Sequence, residues 1–462
     1  MKKINMFLRN QPPGRMIVAG FAAVILLGML VLLLPISVKD GAEVTLIDAL
    51  FTSTSAVCVT GLIAIDTADH FTAFGQGVVA ALIQVGGLGV IACMSAFFLL
   101  LGKKINMKGR ITIQQAYGLD TLSGLVKFVI RILKGTFLVE GIGAVLFSLR
   151  FIPEFGFIKG VGYAIFHSVS AFCNAGIDIL GSTSFIQYSG SWLINFTTMF
   201  LIVMGGLGFP VWHDIAINIK KMTEIKKRPL KWLFTRLCLQ SKIVLTMTGL
   251  LILCGAVGFF LLEFNNPETM GDMNLLEKMT ASLFQSVTTR TAGFATVPQG
   301  DLRESSKLLG CMLMFIGGSP AGTAGGVKTT TIAMLLLTVL CVLKNKRDTE
   351  CFARKIDNNI VRSGITITMI TLIFLMSGIT ALTIFEPGID FLDLTYEAAS
   401  AMGTVGLTAD LTPILSRGSH VILMILMYVG RIGPLTMALA LSGRSDKISK
   451  FRELPEENVM LG

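Results

Sequence analysis

Four short stretches of this chain share a glycine flanked by small or branched residues. They are Val59-Thr60-Gly61-Leu62, Asn174-Ala175-Gly176-Ile177, Thr291-Ala292-Gly293-Phe294 and Thr404-Val405-Gly406-Leu407. None carries a carboxylate, thiol or imidazole, so proton transfer and nucleophilic attack have no agent there. What these turns offer is backbone. Glycine permits angles that aim carbonyls to one side. A ring of carbonyl oxygens replaces the hydration shell of a cation. A divalent ion would call for carboxylates among its ligands, so the residue types point to a monovalent cation. The candidate ligands are Val59, Thr60, Gly61, Asn174, Ala175, Gly176, Thr291, Ala292, Gly293, Thr404, Val405 and Gly406.

The turns recur at nearly even intervals. An aromatic residue (Phe51, Phe166, Phe284 or Tyr396) stands nine or ten positions before each glycine. A second glycine element follows each turn: Gly86-Gly87-Leu88-Gly89, Gly205-Gly206-Leu207-Gly208, Gly317-Gly318-Ser319 and Gly430-Arg431-Ile432-Gly433. Self-similarity of this kind marks an internal repeat. The unit reads as helix, half helix, glycine turn, helix, four times over.

The run from Gly317 to Gly326 includes Gly318, Ser319, Ala321, Gly322, Thr323, Ala324 and Gly325, with Pro320 among them. It cannot hold a regular helix. Irregular backbone at membrane depth survives only where it lines a cavity or is buried in protein. We read it as a flexible gate below the turns; the simpler alternative is a break that lets helices approach. Gly322 to Thr329 faintly resembles a phosphate loop, but Val327 separates Gly326 from Lys328, and no strand precedes it. Lys328 either snorkels to the surface or contacts the gate. Arg431 sits within an apolar helix and is expected to face the pore, since a central arginine costs about 2.5–3.5 kcal/mol on insertion scales. Asp178 reads as a cap or a mouth charge. Glu140 has no assigned role, and His167 and His213 read as packing residues.

These turns need a membrane scaffold, and the composition supplies one. The 462 residues are 53% hydrophobic and 15% charged, with a mean hydropathy of +0.72. A soluble domain carries about 25% charged residues. Full crossings, each at least the roughly 20 residues a span needs, are expected at 16–36, 73–101, 126–149, 192–216, 241–263, 307–343, 363–385 and 419–443, the sixth of them interrupted by the run Gly317 to Gly326. Half helices are expected at 46–58, 161–173, 276–289 and 390–402. The fold class is therefore an all-α polytopic membrane protein, with four pseudo-symmetric helix/re-entrant loop/helix repeats around one pore. The divisions are a cytoplasmic N-terminus at 1–15, repeats at 16–112, 113–222, 223–347 (with the gate loop 317–326) and 348–445, and a cytoplasmic tail at 446–462. Arg15 before the run from Met16 to Ile36, without an A-x-A site, reads as a first membrane helix and not a signal peptide.

Charge sets the orientation. Most of the 39 Lys and Arg lie in the termini and in the loops 102–125, 220–242 and 344–362. Basic loops stay cytoplasmic, so both termini are placed there. The net charge of +10 is thus a topology signal, and nucleic acid is not an expected partner. The run Lys226-Lys227-Arg228 reads as a solvated loop near anionic lipid or as a dock for a cytosolic partner. The eight cysteines are scattered without a CxxC pair, so neither disulfide framework nor zinc site is expected. An intramembrane enzyme lacks its dyad, and a rocking carrier would show inverted repeats.

The stretches Ser53 to Leu62, Phe172 to Gly176, Thr289 to Phe294, Gly317 to Lys328, and Gly430 to Pro434 together resemble the Trk/Ktr/HKT superfamily of potassium transporters. The likeness runs over about residues 16 to 445 and is nearest to the KtrB-type membrane subunits. Trk-type subunits carry extra helices before the first repeat. The resemblance implies potassium uptake across a bacterial plasma membrane, through a filter with one glycine per turn. It implies a homodimer working with a KtrA-like cytosolic ring that binds ATP or ADP, so that the nucleotide sits on the partner and no covalent cofactor on this chain. It also implies that Arg431 acts as a barrier below the filter. Sodium dependence, common in the family, is left open by these residues.

Overall fold

A computed structural model of the chain describes residues 13–90, 93, 125–181, 183–224, 230–346, 348–434 and 436–437. The expected termini, the far end of the second crossing, the last residues of the eighth and the run Lys226-Lys227-Arg228 lie outside the described residues.

The described chain is helical apart from a hairpin of two-residue strands at Glu350–Cys351 and Arg354–Lys355. Each quarter opens on a long apolar helix: α1 (Pro13–Leu32), α4 (Leu125–Phe155), α8 (Leu239–Glu263) and α12 (Asn358–Phe385). A shorter, polar helix follows in each: α2 (Leu46–Cys58), α5 (Phe157–Cys173), α9 (Leu275–Thr288) and α13 (Phe391–Gly403). Their starts are chemically marked. Thr45 and Asp48 form a reciprocal capping box on α2, and Asn274 and Glu277 do so on α9; such a cap contributes about 0.5–2 kcal/mol. The third element comprises α3 (Ala73–Leu88), α6 (Trp192–Gly206) with α7 (Phe209–Glu224), α10 (Glu304–Phe315) with α11 (Thr329–Leu343), and α14 (Arg417–Ile432).

One packing device joins the first two elements. Ser53 donates to Ile25 O at 2.7 Å, Ser168 to Glu140 O at 2.6 Å and Ser286 to Ile252 O at 2.8 Å. In each case a glycine three residues on, Gly28, Gly143 or Gly255, lies so close to the serine that a Cβ would collide with it. Lipid tails are as apolar as leucine, so close backbone approach and interhelical hydrogen bonds must hold membrane helices together.

The quarters close into a ring. Each third element packs on the short helix of the next quarter: α3 on α5, α6 on α9, α10 on α13, and α14 back on α2. Leu27, Leu138, Val145, Leu253, Leu261, Ile373 and Ile384 are exposed on the long helices. An apolar belt of that extent belongs against lipid.

One expectation requires correction. The fourth crossing, expected as one span over 192–216, is two helices bent by 96°. Among the described residues four helices are long and apolar enough to span, or five if that bent pair is one span. The second and eighth expected crossings run on into residues outside those described. The cause of the bend is the second glycine element. Gly89, Gly208 and Gly433 have φ of 86°, 89° and 93°, which no helix interior accommodates.

Candidate functional site

The four short helices end in one shared backbone geometry. Val59, Asn174, Thr291 and Thr404 have φ of 55°, 60°, 70° and 52°. Two residues on, Gly61, Gly176, Gly293 and Gly406 have φ of 100°, 67°, 84° and 95°. Each turn is thus a tripeptide with left-handed first and third positions. At a non-glycine residue that region costs about 1–2 kcal/mol, and hydrogen bonds offset it. In the first turn Val59 N donates to Ala56 O and Thr60 N to Ser55 O. Asn174 and Ala175 repeat this with Ala171 and Ser170, and Thr404 and Val405 with Ala401 and Ser400. This is the paired carbonyl capping of a Schellman-type end. The third turn differs: α9 ends at Thr288, and Ala292 N donates to Thr288 O at 2.9 Å.

Hydroxyls in the last helical turn fasten the ends. Gly61 N donates to Ser55 Oγ and Gly406 N to Ser400 Oγ, both at 3.0 Å. Ser170 Oγ donates to Ile177 O at 2.6 Å and Thr288 Oγ1 to Phe294 O at 2.7 Å. Sequence reasoning did not single out these residues, although a serine or threonine stands five or six positions before every turn glycine.

The turns meet on a common axis. A Cβ built on Gly61 would strike Ala175 O; on Gly176, Ala292 O; on Gly293, Val405 O; and on Gly406, Thr60 O, all within 3.0 Å. The contacts form a closed cycle, each glycine lying against the middle carbonyl of the next turn. A pocket of about 120 Å³ lies on one side of the cycle and includes all four glycines, Thr408, Asp178 and Asp410 in its lining. Asp178 accepts from Leu180 N at 3.2 Å in a local turn that caps no helix. Burial pushes its carboxyl up to about 7 and also raises that of Asp410. Behind the turns Phe51, Phe284 and Tyr396 are fully buried, and Phe166 nearly so.

The loop from Gly317 to Gly326 docks on the break between α6 and α7. Ser319 N donates to Gly206 O at 3.0 Å, Thr323 N to Gly205 O at 3.2 Å, and Phe209 N to Ala321 O at 3.0 Å. Gly318 N donates to Gly325 O at 3.3 Å, and Thr329 N to Gly318 O at 3.0 Å. In the loop expected as a gate, Gly317, Gly318, Ser319, Thr323, Ala324 and Gly325 are buried and the backbone is tied on both sides. Gly322 lies against Gly205 O and Gly208. Thr323 Oγ1 donates to Phe172 O at 3.2 Å and lies 3.2 Å from the Asn174 side-chain amide. The loop thus touches the second turn.

Lys328 turns back onto the loop, donating to Ala324 O at 2.7 Å and Gly325 O at 3.4 Å. Arg431 binds carbonyls from two quarters: Thr323 O in the loop, and Gly86 O and Gly87 O at the end of α3. No carboxylate pairs with it among the described residues. Away from this assembly, Glu140 is buried beside Gln84 and Cys173. His167 is buried among Phe147, Phe151 and Phe185, a packing role. Among the described residues no group of His, Cys, Asp and Glu could hold a metal ion, and the cysteines are free thiols. The donors that converge here are neutral carbonyls with a carboxylate-bearing mouth on one side, an arrangement suited to a cation.

Known proteins resemble the chain throughout. The TrkH family profile, described as a cation transport protein, matches residues 12–451. The potassium/sodium uptake protein NtpJ of Enterococcus hirae is 38% identical over 457 residues, 97% of each chain. The Ktr system potassium uptake protein B of Bacillus subtilis is 37% identical over 460 residues, 100% of this chain and 99% of that one. The crystal structure of the potassium transporter TrkH from Vibrio parahaemolyticus superposes with a TM-score of 0.74 at 19% identity, covering 94% of this chain and 86% of that one. A match at that level shows a shared fold, and the sequence relationships span nearly the full length. The chain belongs to the TrkH family of cation transport proteins.

Proposed function

We propose that this chain is the ion-translocating subunit of a bacterial potassium uptake system. Family membership makes it a multi-pass membrane transporter and not an enzyme. The observation that carries the potassium reading is the closed cycle of turn glycines and carbonyls. A cation passing the axis would exchange its water for Thr60, Ala175, Ala292 and Val405 oxygens, with the flanking residues of each tripeptide adding further ligands. The uptake function printed for the E. hirae and B. subtilis relatives supports the same reading.

The path runs as follows. Asp178 and Asp410 draw cations into the outer mouth. The filter is Val59 to Gly61, Asn174 to Gly176, Thr291 to Gly293 and Thr404 to Gly406. Beyond it the loop 317–326, with Lys328, closes the exit, and Arg431 sets an electrostatic barrier. The basic loops and both termini face the cytoplasm of a plasma membrane, and the repeats divide at 16–112, 113–222, 223–347 and 348–445. The subunit works as a homodimer on a KtrA-like ring, whose ATP or ADP state moves the loop through α11. Sodium dependence belongs to this proposal because the E. hirae relative is named for both ions.

The test is rubidium or potassium uptake in a bacterium lacking its own potassium uptake, with and without the cytosolic partner. Growth at low potassium and saturable rubidium uptake, raised by the partner, are expected. Equal uptake of sodium and potassium, or none in a membrane-inserted protein, would overturn the proposal.

A further inference from the structure

Nothing in the ion path uses Glu140, the central residue of α4, which is 5% exposed. The packing of long helix on short helix does not call for it. In α1, α4 and α8 the carbonyl that accepts the serine hydroxyl belongs to Ile25, Glu140 and Ile252. Two quarters fill the matched position with isoleucine. An ionisable group at membrane depth is costly and marks a functional site by default. A crevice of about 380 Å³ between α3, α4 and α5 leads to this carboxyl. Ala80, Ala81, Gly141 and Ala144 widen it, and a Cβ added at Gly141 meets nothing within 4 Å. Two of its lining residues, Phe137 and Ile165, are 61% and 52% exposed, so it opens onto the apolar belt. The partners of Glu140 are the Gln84 amide and the Cys173 thiol, both uncharged. Among the described residues no Lys, Arg or His forms an ion pair with it.

We propose that this crevice binds a lipophilic amine entering from the bilayer, its ammonium on the Glu140 carboxylate and its hydrocarbon body among Ala80, Ala81, Gly141, Ala144 and Ile165. A carboxyl so placed is neutralised either by a proton or by a cation brought to it. The amine takes the proton's place and fills the apolar space in the same step. An inorganic cation would leave the walls bare, and a neutral hydrocarbon would leave the carboxyl to its proton. The volume is that of an ordinary small-molecule site. Cys173, which donates to Gln84 Oε1 at 3.7 Å and lies 3.9 Å from Glu140 Oε1, is the residue before Asn174. The site thus adjoins the second turn. The inference does not depend on which ion is transported.

The probe is N,N-dimethyl-1-aminoadamantane, a compact tertiary amine that cannot be acylated to an amide. Its uncharged counterpart of the same shape is 1-isopropyladamantane. The full-length protein in phosphatidylcholine vesicles is treated with dicyclohexylcarbodiimide, an apolar reagent that reaches carboxyls from lipid. The protonated carboxyl adds across one C=N bond, and the adduct rearranges to a stable N-acylurea that keeps every atom of both reactants. Mass spectrometry of the peptide carrying Glu140 gives the labelling rate. The amine is expected to halve that rate at a mole fraction about tenfold below the hydrocarbon's, the scale of one charge-assisted contact, with labelling of other carboxyls unchanged. Glu140→Gln should remove the adduct. Gly141→Leu, which fills the crevice, should protect Glu140 without any amine. A Glu140 that stays unlabelled in the folded protein, equal protection by the two adamantanes, or equal slowing at every carboxyl would overturn the proposal. Labelling of Glu140 at the wild-type rate in Gly141→Leu would do the same.

Discussion

Gly61→Ser is expected to cost the protein most of its preference for potassium over sodium. Gly61 has φ of 100°, where a side chain is strained by about 1–3 kcal/mol. The added Cβ would also collide with Ala175 O and lie 3.2 Å from the Cα of Gly406. Neither neighbour is a flexible side chain; both are backbone in adjacent turns. Relief must therefore come from displacing a carbonyl of the ring. If about 1.4 kcal/mol of the strain appears as lost discrimination, selectivity falls tenfold. Gly41→Ala is the matched control. Gly41 has φ of 84° with nothing within 4 Å of the added Cβ, so it carries the backbone strain without the collision. The assay is rubidium and sodium flux into proteoliposomes at matched protein content. The reasoning fails if serine at Gly61, Gly176, Gly293 and Gly406, introduced singly, leaves selectivity unchanged, or if Gly41→Ala lowers it equally.

Three further outcomes are expected. Thr323→Val keeps the shape of the loop but removes a hydroxyl bonded to Phe172 O and close to the Asn174 amide. At about 0.5–1.5 kcal/mol for such a bond, the loop should release more readily and basal uptake should rise; unchanged flux in a folded variant would refute its gating role. Arg431→Gln strips charge-assisted bonds from Thr323 O, Gly86 O and Gly87 O, each worth about 1.5–3 kcal/mol. Maximal flux should rise while the melting temperature falls, and a fall in stability alone would leave Arg431 a purely structural residue. Asp178, raised by burial to about 7, should be charged above that pH and neutral below it. Uptake from dilute potassium should therefore decline from about pH 8 to about pH 6, and Asp178→Asn should hold the low rate throughout; an identical pH profile in the variant would exclude the mouth charge.

Much of the architecture was written in residue types. The turn glycines, the aromatic before each and the polar half helices all mark elements that the structure contains, because a buried left-handed turn and a polar helix at membrane depth leave few residues to choose from. The left-handed residues Val59, Asn174, Thr291 and Thr404 were not legible as such. At Val59, Asn174 and Thr404 the conformation is fixed by capping hydrogen bonds to the preceding helix, which the residue types alone do not announce. The bend at Gly208 and the helix ends at Gly89 and Gly433 escaped hydropathy, which counts apolar residues and is blind to where the helical ladder is cut. In the loop 317–326 the residues that forbid a regular helix were legible, but its docking was not: the absence of side chains is what lets Gly317 and Gly322 lie against neighbouring backbone. The partners of Arg431, Gly86 and Thr323, are distant in sequence, and no spacing rule connects them.

The central claim is that four backbone turns together hold one monovalent cation. The most direct measurement is anomalous scattering from crystals of the protein grown with rubidium in place of potassium. A rubidium peak on the axis bounded by the carbonyl oxygens of Thr60, Ala175, Ala292 and Val405, weakened when sodium replaces rubidium, is the expected result. Rubidium bound elsewhere, with the space between those four oxygens empty at saturating concentration, would contradict it.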